Sequence, residues 1–74
     1  MQIFVKGFAG IHYSIEVESS DTVDSLKAKV EELEGVPAKQ QRLLIGGQQL
    51  EDGHKLSKYK VKEFATVHLV LGSS

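Results

Sequence analysis

Apolar residues follow a helical period in one part of the chain, between Thr22 and Glu34. Their spacing of three and four residues places them on one side of a helix. Asp21 and Thr22 are suitable N-cap residues, and Gly35 followed closely by a proline is a typical stop signal. The pattern therefore predicts one helix over about residues 22–34. The members of its apolar stripe are Val23, Leu26, Val30 and Leu33.

Elsewhere apolar residues alternate with polar ones, which is the period of a half-buried β-strand. Alternation over Met1–Lys6 and Ile11–Glu18, with glycines on both sides of the intervening turn, predicts a hairpin. Ile11 would begin the inward-facing set of the second strand. Three further strands are predicted at Gln41–Ile45, Gln48–Leu50 and Thr66–Leu71, and one helical turn at Leu56–Tyr59.

Strands that precede, interrupt and follow one helix indicate an α+β fold. We expect a mixed, curled sheet of four to five strands packed on the helix, in a single domain over residues 1–71. Residues 72–74, Gly-Ser-Ser, have the composition of a tail or linker. The predicted core consists of Ile3, Val5, Tyr13, Ile15, Val17, Val23, Leu26, Val30, Leu43, Leu50, Leu56, Tyr59, Val61, Val67 and Leu69.

Composition narrows the function classes. The 74 residues carry a net charge of −1, which argues against a dedicated binder of nucleic acid or anionic membranes. Without cysteine, neither a disulfide nor a thiolate metal site can stabilise the fold, and a cytoplasmic or nuclear location is permitted. No apolar run has the roughly 20 residues of a membrane span, and the N-terminus does not resemble a signal peptide.

A search for catalytic chemistry finds no candidate. The three histidines lack the spacing of metal ligands, and the adjacent acidic pairs are solvated charges rather than acid/base partners. The glycine pair Gly46-Gly47 lacks the lysine and hydroxyl of a phosphate loop. We therefore expect no enzyme, no metal and no cofactor. Four lysines between Lys55 and Lys62 are expected to be ordinary surface residues, with a weak site for an anionic partner as the alternative.

An apolar patch is the informative anomaly. Strand alternation turns Leu44 and Val70 away from the helix, onto a face where antiparallel sheets usually carry polar residues. Single exposed apolar residues are common. Two on neighbouring strands, together with Phe8 in a glycine-flanked turn, form a patch, and such patches mark partner sites.

Three segments, MQIFVK, EGVPAKQQRLLIGGQQLEDG and VHLVL, closely resemble the ubiquitin family, and the match runs without gaps over residues 1–71. The resemblance implies the β-grasp fold, which agrees with the predicted order of elements. It also implies that Leu44, His68 and Val70 form a hydrophobic recognition patch, with Phe8 in the neighbouring turn. The implied rim residues are Arg42, Gly47 and Gln49.

The tail departs from the resemblance. Ubiquitin ends in an arginine-rich segment with two terminal glycines, through which it is activated, whereas this sequence reads Gly72-Ser73-Ser74. Of the lysines that ubiquitin uses for chains, Lys6, Lys27 and Lys29 remain as possible modification sites. The corresponding positions that are not lysine are Ile11, Leu33, Gln48 and Glu63.

The leading hypothesis is a non-covalent interaction module, monomeric as an isolated domain, that binds ubiquitin receptors or proteasome subunits in the cytoplasm or nucleus. The first alternative is a covalent modifier with a truncated or altered tail. A second is an engineered or orphan scaffold. The sequence that follows Ser74 in the gene would discriminate between a modifier, which requires a diglycine, and a module within a longer protein.

Two further hypotheses concern other surfaces. Phe4, Phe64 and His12 are predicted to form a second exposed apolar surface, because the resemblance makes the first and last strands neighbours. An inward-folded Phe64 is the alternative. Ile11 and Leu33 are predicted to meet and extend the core at the C-terminal end of the helix, with two unrelated surface residues as the alternative.

Overall fold

The computed structural model describes residues 1–7 and 10–72. The predicted order of elements is confirmed, with a second strand shorter than expected and one additional short 3₁₀ helix. The strands are β1 (Gln2–Lys6), β2 (His12–Glu16), β3 (Gln41–Ile45), β4 (Gln48–Leu50) and β5 (Thr66–Leu71). The helix α1 spans Val23–Glu34, and the 3₁₀ helices span Ala38–Gln40 and Leu56–Tyr59.

The strands form one mixed sheet in the order β2-β1-β5-β3-β4. The first and last strands of the chain lie side by side and parallel, and every other pairing is antiparallel. The hairpins β1–β2 and β3–β4 therefore lie on opposite sides of β5. Because side chains alternate along each strand, one face of the sheet packs toward the core and the other faces outward.

Both ends of α1 are capped as the sequence predicts. The Thr22 side-chain oxygen accepts a hydrogen bond from the Ser25 amide at 3.1 Å, which satisfies a donor in the first turn. Gly35 has φ 75°, and its amide donates to the Glu31 carbonyl at 2.8 Å. A residue with a side chain would be strained in this left-handed conformation, so glycine ends the helix here.

The core fills the space between α1 and the inner face of the sheet. Fourteen of the predicted residues are buried, and Tyr13 is only partly buried, because it lies on the edge strand β2 and its hydroxyl is beside the Glu34 carboxylate. The buried set is Ile3, Val5, Ile15, Val17, Val23, Leu26, Val30, Leu43, Leu50, Leu56, Tyr59, Val61, Val67 and Leu69.

The prediction that Ile11 and Leu33 extend the core is wrong, since they are 50% and 48% exposed. Ile11 precedes β2, so the strand alternation does not apply to it. The buried residues of the helix are Val23, Leu26, Lys27 and Val30. At about 100° per residue, Leu33 lies roughly 70° from the mean direction of this buried set and Glu34 only about 30°. Glu34 is accordingly the residue of the last turn that faces the sheet, where its carboxylate lies under Gly7.

Two buried polar residues were not predicted. The Lys27 chain lies on the inward side of α1, and its Nζ forms an ion pair with Asp52 at 2.8 Å. Gln41 is 3% exposed, and its Nε2 donates to the carbonyls of Lys27 and Val36, both at 2.9 Å. Alternation with Leu43 could have placed Gln41 on the inner face, but the polar side chain argued against it.

Candidate interaction surface

The outward face of the sheet carries a continuous row of side chains across all five strands. On β3, Leu44 lies opposite His68 of β5 on one side and Gln49 of β4 on the other. On β1, Lys6 lies opposite that same His68 and, on its other side, opposite His12 of β2. The strand register therefore brings together residues that are far apart in sequence.

Leu44, His68 and Val70 share the outward face of β3 and β5 but differ in exposure. Val70 is 43% exposed and lies opposite Arg42, one step along the strands from the pair of Leu44 and His68. His68 is exposed, whereas Leu44 is partly buried because polar neighbours flank it on both adjacent strands. Leu43, the preceding residue on β3, is fully buried on the other face.

The predicted rim residues lie around this patch. The Arg42 guanidinium donates to the Gln49 side-chain oxygen at 3.1 Å, which links the outer faces of β3 and β4. Gly46 and Gly47 have φ values of 56° and 80° and form the two-residue turn between these strands. Positive φ at both positions is typical of a type I′ turn, which favours glycine. Phe8, the remaining predicted patch residue, lies outside the described residues.

Leu71 is a surface residue that the sequence analysis missed. It is 54% exposed at the end of β5, next to Val70. Because side chains alternate along a strand, Leu71 was expected on the same face as buried Leu69. No sequence signal therefore identified it as exposed. One residue further on, the Gly72 amide donates to the carbonyl of Gln40, the residue that precedes β3, at 2.7 Å.

The structure brings Phe4 and Phe64 together on the same outward face. Their ring centroids are 6.1 Å apart with an interplanar angle of 20°, a stacked arrangement. Phe64 is 61% exposed, so it does not fold into the core. Phe4 lies opposite Ser14, and His12 is two residues further along β2, so His12 is a diagonal neighbour of Phe4. His12 does not belong to the stacked pair.

The ubiquitin family model matches residues 3–74, nearly the whole chain. The chain belongs to the ubiquitin family. The five-stranded mixed sheet with one helix is the β-grasp fold of that family, so the fold and the resemblance predicted from the sequence are both confirmed.

Curated relatives of this ubiquitin-family chain differ in length. Ubiquitin-like protein NEDD8 of Dictyostelium discoideum is 39% identical over 96% of this chain and 92% of its own length. Ubiquitin-like protein 1 of Schizosaccharomyces pombe is 37% identical over 96% of this chain and 91% of its own. Ubiquitin-like protein 4A of Plecturocebus moloch is 39% identical over 96% of this chain but only 45% of its own. The domain thus occurs both nearly alone and within longer proteins.

The three lysines predicted as possible modification sites have different surroundings. The Lys6 side chain is exposed on the outward face of the sheet. The Lys27 side chain is 10% exposed and its amine is paired with Asp52. The Lys29 amine donates to the Glu16 carbonyl at 2.9 Å. Lys6 is therefore the most accessible amine of the three.

Two groups on this ubiquitin-family domain have shifted pKa values. The hydrogen bond with Glu16, at 2.8 Å, raises the pKa of the Met1 amino group, and Glu18 and Glu63 add to the shift. Burial raises the pKa of the Tyr13 hydroxyl, and the charge and hydrogen bonding of Glu34 raise it further. Neither group lies in the apolar patch, so both shifts concern stability rather than recognition.

Residues 1–7 and 10–72 contain no group of three His, Asp or Glu side chains that could hold a metal ion. Within the same described ranges, α1 is too short and too polar to cross a membrane, and no other helix qualifies. The outward face of the sheet is therefore the feature of the described chain from which a function can be argued.

Proposed function

We propose that this domain is a non-covalent interaction module, recognised through the patch of Leu44, His68 and Val70 by ubiquitin receptors or proteasome-pathway proteins in the cytoplasm or nucleus. The observation that carries the proposal is the pair of apolar side chains on the outward face of β3 and β5, bordered by Arg42 and Gln49. The domain acts by binding, and no catalytic role is assigned to it.

The patch has the composition of an interface centre. Its apolar side chains lie on adjacent strands, where Leu44 is partly buried and Val70 is 43% exposed. Polar Arg42 and Gln49 lie at the periphery and are already hydrogen-bonded to each other. An apolar centre with a polar rim suits the apolar face of a partner helix, whose burial excludes water from the central contacts.

A substitution with a matched control tests the proposal. Leu44→Ala should weaken binding to a ubiquitin-binding helix at least about tenfold, as expected for a residue at the centre of an interface. Leu33→Ala makes the same change in an exposed leucine on the helix side of the domain and should leave affinity unchanged. Calorimetric titration measures both. Equal affinities for Leu44→Ala and the unmodified chain would contradict the proposed site.

His68 lies opposite Leu44 at the centre of this surface. The charged groups nearest to it on the outward face are Lys6 on β1 and Arg42 on β3, both cations. His68→Gln removes the imidazole ring from the patch and should weaken binding of the helix. An affinity unchanged in His68→Gln would exclude the histidine from recognition.

Covalent modification of other proteins is the second candidate function. It is favoured by the two relatives of which this domain makes up more than nine-tenths, since a modifier needs little beyond the domain and its tail. The discriminating observation is the coding sequence after Ser74. A diglycine there, followed by ATP-dependent transfer of the purified protein onto an activating enzyme, would favour the modifier, and further domains would favour the module.

A further inference from the structure

Phe64 occupies a backbone conformation that disfavours aromatic residues. It is the second central residue of the turn closed by the hydrogen bond from the Ala65 amide to the Lys62 carbonyl at 3.0 Å. Its φ is 65°, and turns with positive φ at this position usually carry glycine or asparagine. A bulky residue there is a genuine outlier, and such strain is concentrated at functional sites.

The exposed Phe64 ring is not explained by the core. It is 61% exposed and stacks on partly buried Phe4, so the two rings form an aromatic ledge on the outward face. The residues opposite Phe4 on the two adjacent strands are uncharged, Ser14 on β2 and Thr66 on β5. The ledge therefore has an uncharged polar border across the strands.

Along the strands, the ledge has opposite charges at its two ends. Lys6 lies two residues beyond Phe4 on β1. In the other direction Gln2 lies opposite Glu16, whose carboxylate is paired with the Met1 ammonium at 2.8 Å. The Gln2 backbone amide is 3.4 Å from the Glu63 carboxylate, which carries the uncompensated negative charge of this end. Phe4 is thus midway between a cationic end and an acidic end.

We propose that the aromatic ledge of Phe4 and Phe64 pairs with the same surface of a second copy of this chain. A two-fold axis that lies between the two sheets and perpendicular to their strands places the Lys6 end of each copy over the Glu63 end of the other. An axis parallel to the strands would bring like charges together. The charge distribution therefore favours one arrangement, an isologous antiparallel contact with aromatic rings at its centre.

The pairing of two copies is weak, and it uses a surface separate from the apolar patch of Leu44, His68 and Val70. Each aromatic side chain can bury about 150–250 Å² of surface. Two such side chains per copy give a contact whose buried area is small among specific protein interfaces. A dilute solution of the isolated domain would then be monomeric. Strand spacing puts the Cα atoms of Phe4 and Leu44 roughly 12 Å apart. Lys6, Thr66 and His68 lie between them.

Sedimentation equilibrium from about 20 μM to about 1 mM, a range suited to a small interface, tests the pairing. The average mass of the unmodified chain should rise toward that of a dimer, and Phe64→Glu should remain monomeric. Leu33→Glu introduces the same charge at a half-exposed apolar residue on the opposite side of the domain and should still dimerise. A constant monomer mass, or equal dimerisation of Phe64→Glu, would overturn the proposal and leave the ledge to a different partner.

Charge reversal tests the orientation of the two copies. Lys6→Glu alone and Glu63→Lys alone should each dimerise at least about tenfold more weakly, because each creates two like-charge contacts per dimer. Mixed in equal amounts, they should associate as well as the unmodified chain, since every contact in the mixed pair is again between opposite charges. Failure of the mixture to associate would overturn the antiparallel arrangement.

Binding of the ubiquitin-binding helix is measured on the same variants. Phe64→Glu should retain the affinity of the unmodified chain, because Leu44, His68 and Val70 are intact. Loss of both activities in Phe64→Glu would overturn the separation of the two surfaces. This readout keeps a failure of the self-pairing distinguishable from a failure of the proposed function.

Discussion

Leu43 and Leu44 provide a direct test of the two faces of the sheet. They are adjacent on β3 and chemically identical, and each is changed to alanine in the same way. Leu43 is completely buried in the core, with 0% of its surface exposed to solvent. It lies opposite buried Leu50 and Leu69 on the adjacent strands. Leu44 is partly buried on the outward face. The two substitutions should therefore have different consequences for stability and binding.

The expected loss of stability for Leu43→Ala follows from its surroundings. Truncation leaves a cavity between rigid strands and α1, so the cost should be about 2–5 kcal/mol. For a domain of this size each kcal/mol lowers the melting temperature by about 4–8 °C, which predicts a decrease of at least roughly 8 °C. Leu44→Ala removes a side chain that retains contact with water and should cost about 1 kcal/mol or less.

Urea denaturation and thermal melts measure both variants, with the urea m-value as a check that each unfolds in two states. Binding of a ubiquitin-binding helix to folded Leu44→Ala completes the comparison. The reasoning would be refuted if Leu44→Ala were as destabilising as Leu43→Ala, because strand alternation could not then place the two side chains on opposite faces.

Three further predictions concern the region between the helix end and the first hairpin. Burial raises the pKa of the Tyr13 hydroxyl in the folded chain, so the protonated hydroxyl stabilises the fold below about pH 10 and this stabilisation is lost as the pH rises further. Tyr13→Phe should therefore reduce the loss of unfolding free energy above about pH 10, measured by urea titration. Gly7→Ala should cost about 1 kcal/mol, since the added methyl overlaps the Glu34 carboxylate, and should cost less in a Glu34→Ala background, where the close contact with the Tyr13 ring remains. Ile11→Ala and Leu33→Ala should each change the free energy of unfolding by about 0.5 kcal/mol or less. A larger decrease of the unfolding free energy in chemical denaturation would show that these side chains belong to the core.

Periodicity predicted the fold well where it reflects one buried face. The stripe from Val23 to Val30 and the alternation on β1 identify core residues because each element packs on one side only. The same rule failed at element ends. Ile11 precedes its strand, and Leu33 lies at the border of the helix stripe, where the last turn instead directs Glu34 toward the sheet.

Polar residues that become buried could not be predicted from hydropathy. Lys27 is buried along its aliphatic chain because Asp52, far away in sequence, pairs with its amine. Gln41 is buried because two backbone carbonyls accept from its amide. In both cases the partner is supplied by tertiary structure, which the local pattern does not contain.

The outward face of the candidate site was predictable, but its arrangement was not. Alternation alone placed Leu44 and Val70 on that face. The register that sets Leu44 opposite His68 depends on the pairing of distant strands, and only the family resemblance indicated it. The left-handed backbone of Phe64 had no sequence signal, because its residue type argues against that conformation.

The central position of β5 has a consequence for how the chain is made. The last strand joins two hairpins, and its pairing with β1 connects Phe4 to Thr66 across nearly the whole chain. Closing a loop of roughly 60 residues costs about 3–4 kcal/mol of entropy, which is recovered only when the sheet assembles. Until residues 66–71 leave the ribosome, β1 and β3 each retain an unpaired inner edge, and such edges promote aggregation. Folding of this domain is therefore expected to occur in one step after synthesis of its last strand, rather than strand by strand during translation.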